Sequence, residues 1–120
     1  MMKPKTIFCD IDGVLFKHDS NICMQSKNDP HTVILPGVLE KLQEWERKGY
    51  KIILTTGRKE SMRKDTIDQL SKIGIFYDQL ITGLGGGVRV LINDMKKGKD
   101  EPTAYAINLV RDKGIKDVDI

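Results

Sequence analysis

The stretch TIFCDIDGVLF, residues 6–16, decides how this chain is read. An apolar run stops at two carboxylates, Asp10 and Asp12, turns on Gly13 and becomes apolar again. Apolar residues bounded by a turn signal predict a short buried strand over residues 5–10. Carboxylates delivered to the end of such a strand are costly unless they find a partner, and a metal cation is the most economical one. The stretch is therefore expected to hold the active site, with the rest of the chain completing it.

Working outward, residues 17–31 (KHDSNICMQSKNDPH) are polar and irregular. They are longer than most connections, which predicts a functional loop or flap at about 17–33, with a weak hairpin near 22–24. After the lead-in Ile34, Leu35, Pro36 and Gly37, one apolar stripe of Val38, Leu39, Leu42 and Trp45 predicts a helix that Gly49 stops. KIILT at 51–55 is near-continuously apolar, as in a strand covered on both faces. The turn Thr56, Gly57, Arg58 follows, then a helix over about 60–73 with Met62, Ile67, Leu70 and Ile73 inward and Gly74 at its end. A third strand is expected at 78–82. A glycine loop at 83–87 then leads to a fourth strand at 88–93, ending at Asp94. A last strand is expected around 104–109, and the charged tail 111–120 is expected to be superficial.

Strands alternating with helices predict an α/β fold: one doubly wound, mainly parallel sheet, in which ligands bind outside the carboxyl ends of the strands. The 120 residues suggest one domain. The net charge of +3 comes from basic residues spread along the chain, so neither nucleic acid nor membrane is the expected partner. Cys9 and Cys23 form no zinc or redox motif. The N-terminus lacks the apolar core of a signal peptide and no run is long enough to span a bilayer, so a reducing cytoplasm is expected.

The predicted strand ends carry Asp10 and Asp12, then Thr55, then Asp94. A carboxylate so placed can attack phosphorus and form an aspartyl-phosphate. A second carboxylate two residues on can protonate the leaving oxygen and then activate water. Mg²⁺ held by hard oxygens would screen the like charges, with Asp94 completing its site beside Asp10 and Asp12. Thr55 offers a hydroxyl and an N–H to a phosphoryl oxygen, and Thr56, Gly57 and Arg58 of the adjoining turn extend the phosphate site. A cation should balance the transferring group, and Arg58, Lys64, Arg89 and Lys97 are candidates. The glycine loop at 83–87 lacks the Lys-Ser/Thr of a P-loop and precedes a strand, so it reads as a turn. His18 and His31 read as exposed loop residues.

DIDGV at 10–14, LTTGR at 54–58 and LINDMK at 91–96 together resemble the haloacid dehalogenase superfamily. The resemblance runs from Thr6 to about Leu109 and implies a Rossmann-like core. It implies Asp10 as nucleophile, Asp12 as general acid/base, Thr55 as the phosphate-binding hydroxyl, Asp94 as a magnesium ligand and the Asp12 carbonyl as another. Two features depart from the family pattern. Asp94 has no second acid close behind it, the next being Asp100, and no lysine precedes the fourth strand, which leaves Arg89 or a residue of the second helix for that role. Neither gap between motifs is long enough for an inserted cap. The tracts at 75–94 and 103–109 are also similar to small members linked to sugar-phosphate and surface-polysaccharide pathways.

The resulting expectation is a capless, Mg²⁺-dependent phosphomonoester hydrolase acting on a small phosphorylated metabolite such as a sugar phosphate. Its open site gives a reason for self-association. The alternatives are a non-catalytic or regulatory domain partnering another enzyme and a phosphatase of nucleic-acid ends. A response-regulator receiver is disfavoured, since it needs its phosphorylated Asp on a later strand.

Overall fold

The computed structural model describes residues 3–18, 32–98 and 100–120. Its sheet has three parallel strands, β1 (Thr6–Asp10), β2 (Lys51–Thr55) and β3 (Gln79–Ile81), in the order β1-β2-β3. The helices α1 (Val38–Arg47) and α2 (Arg63–Ile73) lie in the two connections, and a single 3₁₀ turn, Glu60–Met62, precedes α2. β1 and β2 pair from Thr6↔Lys51 to Asp10↔Thr55, which brings both carboxyl ends level.

Side chains alternate across a strand, and the burial follows that period. Cys9, Ile52, Leu54 and Leu80 are buried on one face. On the other, Phe8 is 56% exposed and Ile81 is 36% exposed. The expectation that β2 is covered on both faces is thus corrected: the core sits under one face. It is built from Cys9, Ile11, Leu15, Phe16, Val38, Leu42, Trp45, Ile52, Leu54 and Leu70, among others.

α1 buries Val38, Leu42 and Trp45 as its stripe predicts. It stops at Gly49, whose φ of 77° suits glycine and whose N–H donates to the Glu46 carbonyl at 2.9 Å. α2 ends at Gly74 in the same left-handed conformation. Its inward face differs from the expected one. Thr66, Gln69 and Leu70 are buried, while Ile67 is 37% exposed. With Ile73 half-buried beside them, these residues keep a helical i, i+3, i+4, i+7 spacing, and two of the four are polar.

Three further expectations are corrected. Residues 88–93 form no strand, and Val88, Val90 and Ile92 are 93%, 79% and 92% exposed. The segment around 104–109 is also no strand. The glycine loop carries φ of 78° at Gly83 and 74° at Gly85 and turns the chain over Gly57. Beyond it the chain bonds to itself: the Asn93 amide donates to the Thr103 hydroxyl at 2.7 Å, and that hydroxyl donates to the Asp94 carbonyl. The tail, in contrast, is not superficial throughout. Ile115 is 2% exposed, Val118 and Ile120 pack on the core, and the Asp112 N–H donates to the Gly13 carbonyl at 2.9 Å.

The base of the expected flap is a short antiparallel neck. The Lys17 N–H donates to the Val33 carbonyl at 2.8 Å and the Leu35 N–H to the Leu15 carbonyl at 2.9 Å. The hairpin expected near 22–24, Cys23 and His31 lie outside the described residues.

Candidate active site

Asp10 closes β1 and stands in register with Thr55 at the end of β2. Chain direction and strand length alone accomplish this, since both apolar runs end at the same level. Asp10 Oδ1 accepts the Ile11 N–H at 2.9 Å. Solvent reaches Asp10, yet enough protein surrounds its carboxyl that burial pushes its pKa above the ordinary value. The Ile11 hydrogen bond opposes that rise, the Asp12 charge adds to it, and the charges of Arg89 and His18 oppose it.

The chain then coils tightly. The Leu15 and Phe16 N–H groups both donate to the Ile11 carbonyl, at 2.8 and 3.1 Å, and the Gly13 N–H donates to the Phe16 carbonyl at 2.7 Å. Gly13 needs its φ of 88° for this turn, and a Cβ there would lie 3.4 Å from Arg111 Cγ. The coil directs the Asp12 side chain inward, where it is 6% exposed.

Asp12 is held there by Arg58, itself 1% exposed. Arg58 Nε donates to Asp12 Oδ2 at 2.9 Å and Nη2 donates to Oδ1 at 2.7 Å, a bidentate pair. Nη1 donates to Thr66 Oγ1 at 3.2 Å and to Gln69 Oε1 at 2.7 Å. The Gln69 amide nitrogen in turn donates to Thr32 Oγ1 at 2.9 Å. Among the described residues, no buried side-chain polar atom is left without a partner.

The other expected phosphate-site residues are placed as follows. Thr55 is half-buried beside Asp10. Thr56 is 1% exposed; its N–H donates to the Ile81 carbonyl at 3.0 Å and its hydroxyl accepts the Arg58 N–H at 3.1 Å. Gly57 lies beneath the Gly85 carbonyl, which a Cβ would approach to 2.6 Å. Arg89 is exposed, with Nη1 donating to the Gly87 carbonyl at 2.6 Å, and its charge reaches Asp10.

The structure does not bring Asp94 to Asp10 and Asp12. Among the described residues, no three acidic, histidine or cysteine side chains form a group that could hold a metal ion. Mg²⁺ takes near-octahedral oxygen coordination and commonly keeps several waters beside one or two protein carboxylates. Asp10 and the Asp12 carbonyl are available, but the Asp12 carboxylate is taken by Arg58 and Asp94 is exposed on the 88–110 segment. A hollow of about 530 Å³, lined by Gly37, Glu40, Glu44, Arg47 and Lys116 among others, includes none of the site side chains. Asp10 itself is exposed to solvent.

Sequence reasoning missed Thr66 and Gln69. The available signal was their spacing on α2 opposite a buried arginine. It also missed His18 as a charge acting on Asp10. The His18 N–H donates to Asp112 Oδ1 at 2.7 Å, which ties the start of the loop to the tail.

Comparison with solved structures supports the same class. A chain of a Pnkp1/Rnl/Hen1 complex is 29% identical with a TM-score of 0.54, over 72% of this chain and 30% of that one. A Vibrio cholerae protein of known structure is 21% identical with a TM-score of 0.53, over 78% and 82%. The D,D-heptose 1,7-bisphosphate phosphatase of B. bronchiseptica, solved with magnesium and phosphate, is 18% identical with a TM-score of 0.50, over 68% and 51%. The fold, together with a family match over residues 5–113, is that of a small phosphatase of the haloacid dehalogenase type. More narrowly, the model of the polynucleotide kinase 3 phosphatase family matches residues 5–113, and the chain belongs to that family. No curated protein matches it. The chain spans about 30% of the length of the first of these structures.

Proposed function

We propose that this chain is a phosphomonoester hydrolase working through an aspartyl-phosphate on Asp10. The observation that carries this reading is the register of Asp10 with Thr55, with Asp12 fixed one turn away. An Asp10 carboxylate oxygen attacks phosphorus and the bond from phosphorus to the leaving oxygen breaks. Asp12, entering the step protonated on a lone pair that Arg58 leaves open, gives that oxygen its proton. Water then attacks the aspartyl-phosphate, Asp12 takes a proton from it, and phosphate leaves. Thr55, in register with Asp10, donates to a phosphoryl oxygen in this reading.

The substrate class we favour is a phosphate at a polynucleotide end. The family and the exposure of Asp10 to solvent both support it, and the expectation that nucleic acid is no partner finds no support in this family. A small sugar phosphate is the competing substrate. The reading also includes a doubly wound core of one domain without a cap, residence in the cytoplasm and self-association over the open site. Mg²⁺ dependence belongs to it through the hard oxygens of Asp10 and the Asp12 carbonyl, which would hold the ion beside the phosphoryl group.

The test is phosphate release from a 3′-phosphorylated oligonucleotide and from sugar phosphates, using wild-type and Asp10→Asn proteins. Asp10→Asn should abolish release while the fold stays intact. Undiminished release from that variant would refute the nucleophile, and no release by wild-type from any substrate, with or without Mg²⁺, would favour a regulatory domain.

A further inference from the structure

We infer that Thr66 and Gln69 of α2 are positioning residues for Asp12, acting through Arg58; this rests on the reading of Asp12 as the acid/base. Thr66 is 0% and Gln69 2% exposed, on a helix face that an apolar pair would fill without burying polar groups. What they touch explains their presence. Both accept from Arg58 Nη1, at 3.2 and 2.7 Å, and so fix one side of the guanidinium plane. The opposite edge, Nε and Nη2, then meets both oxygens of Asp12, at 2.9 and 2.7 Å.

That grip has a chemical consequence. An ionised carboxylate offers about four lone-pair sites, and a bidentate arginine occupies one on each oxygen. The plane of Asp12 is set, and the sites left over face away from Arg58, where a proton can be exchanged with a leaving group or with water. Without Thr66 and Gln69 the guanidinium loses both of its acceptors on α2, and its grip on Asp12 loosens. Gln69 also donates to Thr32 at 2.9 Å, so the chain just after the loop at 17–31 shares the same network.

A positioned acid matters most when the leaving oxygen is a poor leaving group. An alkyl phosphate needs its leaving alkoxide protonated, whereas p-nitrophenolate departs unaided. Misplacing a positioned group costs on the order of 10²-fold per ångström, and general acid catalysis as a whole is worth ~10²–10⁴-fold. Gln69→Leu and Thr66→Val are therefore expected to lower kcat/KM for glycerol 2-phosphate by about 10-fold more than for p-nitrophenyl phosphate. Gln69→Glu keeps an acceptor for Arg58 and should restore most of the ratio. The ratio of the two substrates is independent of how much of a variant is folded, so a purely structural loss leaves it unchanged.

Asp12→Asn, measured alongside, separates the two readings. If Asp12→Asn loses both substrates equally, the acid role of Asp12 fails. If Asp12→Asn discriminates and the α2 variants do not, the positioning role fails and the acid role stands. Selective loss in Gln69→Leu and Thr66→Val, with recovery in Gln69→Glu, is the supporting result.

Discussion

The Arg58–Asp12 pair makes a strong demand on stability that can be measured without any substrate. Both side chains are nearly dry, at 1% and 6% exposure, and they meet at 2.7 and 2.9 Å. Removing one partner of a buried pair leaves an uncompensated charge, a loss of ~3–5 kcal/mol. Asp12→Ala should cost about that much, offset slightly because the neighbouring Asp10 loses a like charge. Arg58→Met should cost more, since Gln69 Oε1 also loses its partner, and an orphaned buried acceptor adds ~1–3 kcal/mol. Either loss is a large part of a typical domain stability of ~5–15 kcal/mol. The double variant removes both charges and should be no less stable than Arg58→Met alone, which gives a coupling of roughly 3 kcal/mol. Urea unfolding followed by the single tryptophan, Trp45, which is 3% exposed, reads this directly. With m of ~1–3 kcal/mol/M, the single variants should shift the midpoint by more than about 1 M. Losses below about 1 kcal/mol that simply add would mean a pair behaving like one at the surface, and the buried clamp would be refuted.

Other consequences are simpler to state. Burial raises the Asp10 pKa in the folded state, so ionising it opposes folding: its contribution to stability is present in acid and is lost as pH rises through the raised value. In EDTA, Asp10→Asn should therefore melt above wild-type at neutral pH, with the gap closing as pH falls towards the ordinary aspartate range; a gap that widens in acid would contradict this sign. Cys9 is buried and its thiol is pushed up to about 12, so in a Cys23→Ser background a disulfide reagent should not titrate it until the protein unfolds. A Cβ at residue 57 would meet the Gly85 carbonyl at 2.6 Å, so Gly57→Ala should cost ~1–3 kcal/mol in urea unfolding by forcing the two loops apart, and a neutral result would show that this contact is absent.

The parts of the fold legible in the sequence are those where local pattern and tertiary role agree. KIILT reads as a strand and is one; Val38, Leu42 and Trp45 read as the inward stripe of α1 and are buried. Asp10 opposite Thr55 follows from two apolar runs ending at polar residues, once the strands are taken as parallel. The inner face of α2 was not legible, because hydrophobicity cannot announce a helix that turns Thr66 and Gln69 inward to serve a buried guanidinium. Residues 88–93 have the composition of a buried strand, but composition does not supply the layer that would cover them, and none covers them here. The tail misled in the other direction: charges at Lys113, Lys116, Asp117 and Asp119 hide Ile115, Val118 and Ile120, which recur at a spacing that reaches the core.

Arg58 also changes how charge is distributed around the site. The sequence places it as a cation next to Thr55, facing the phosphoryl group, yet these hydrogen bonds run inward to Asp12, Thr66 and Gln69. A guanidinium so occupied cannot also turn outward to solvent without releasing Asp12. Arg89 and His18 are the basic side chains that act to lower the Asp10 pKa. Arg89 stands on the segment that leaves the sheet, and His18 stands at the neck of the 17–33 loop, bound to Asp112 of the tail. The buried half of the site is thus fixed by the core through α2, while the basic side chains acting on Asp10 stand on segments outside the sheet.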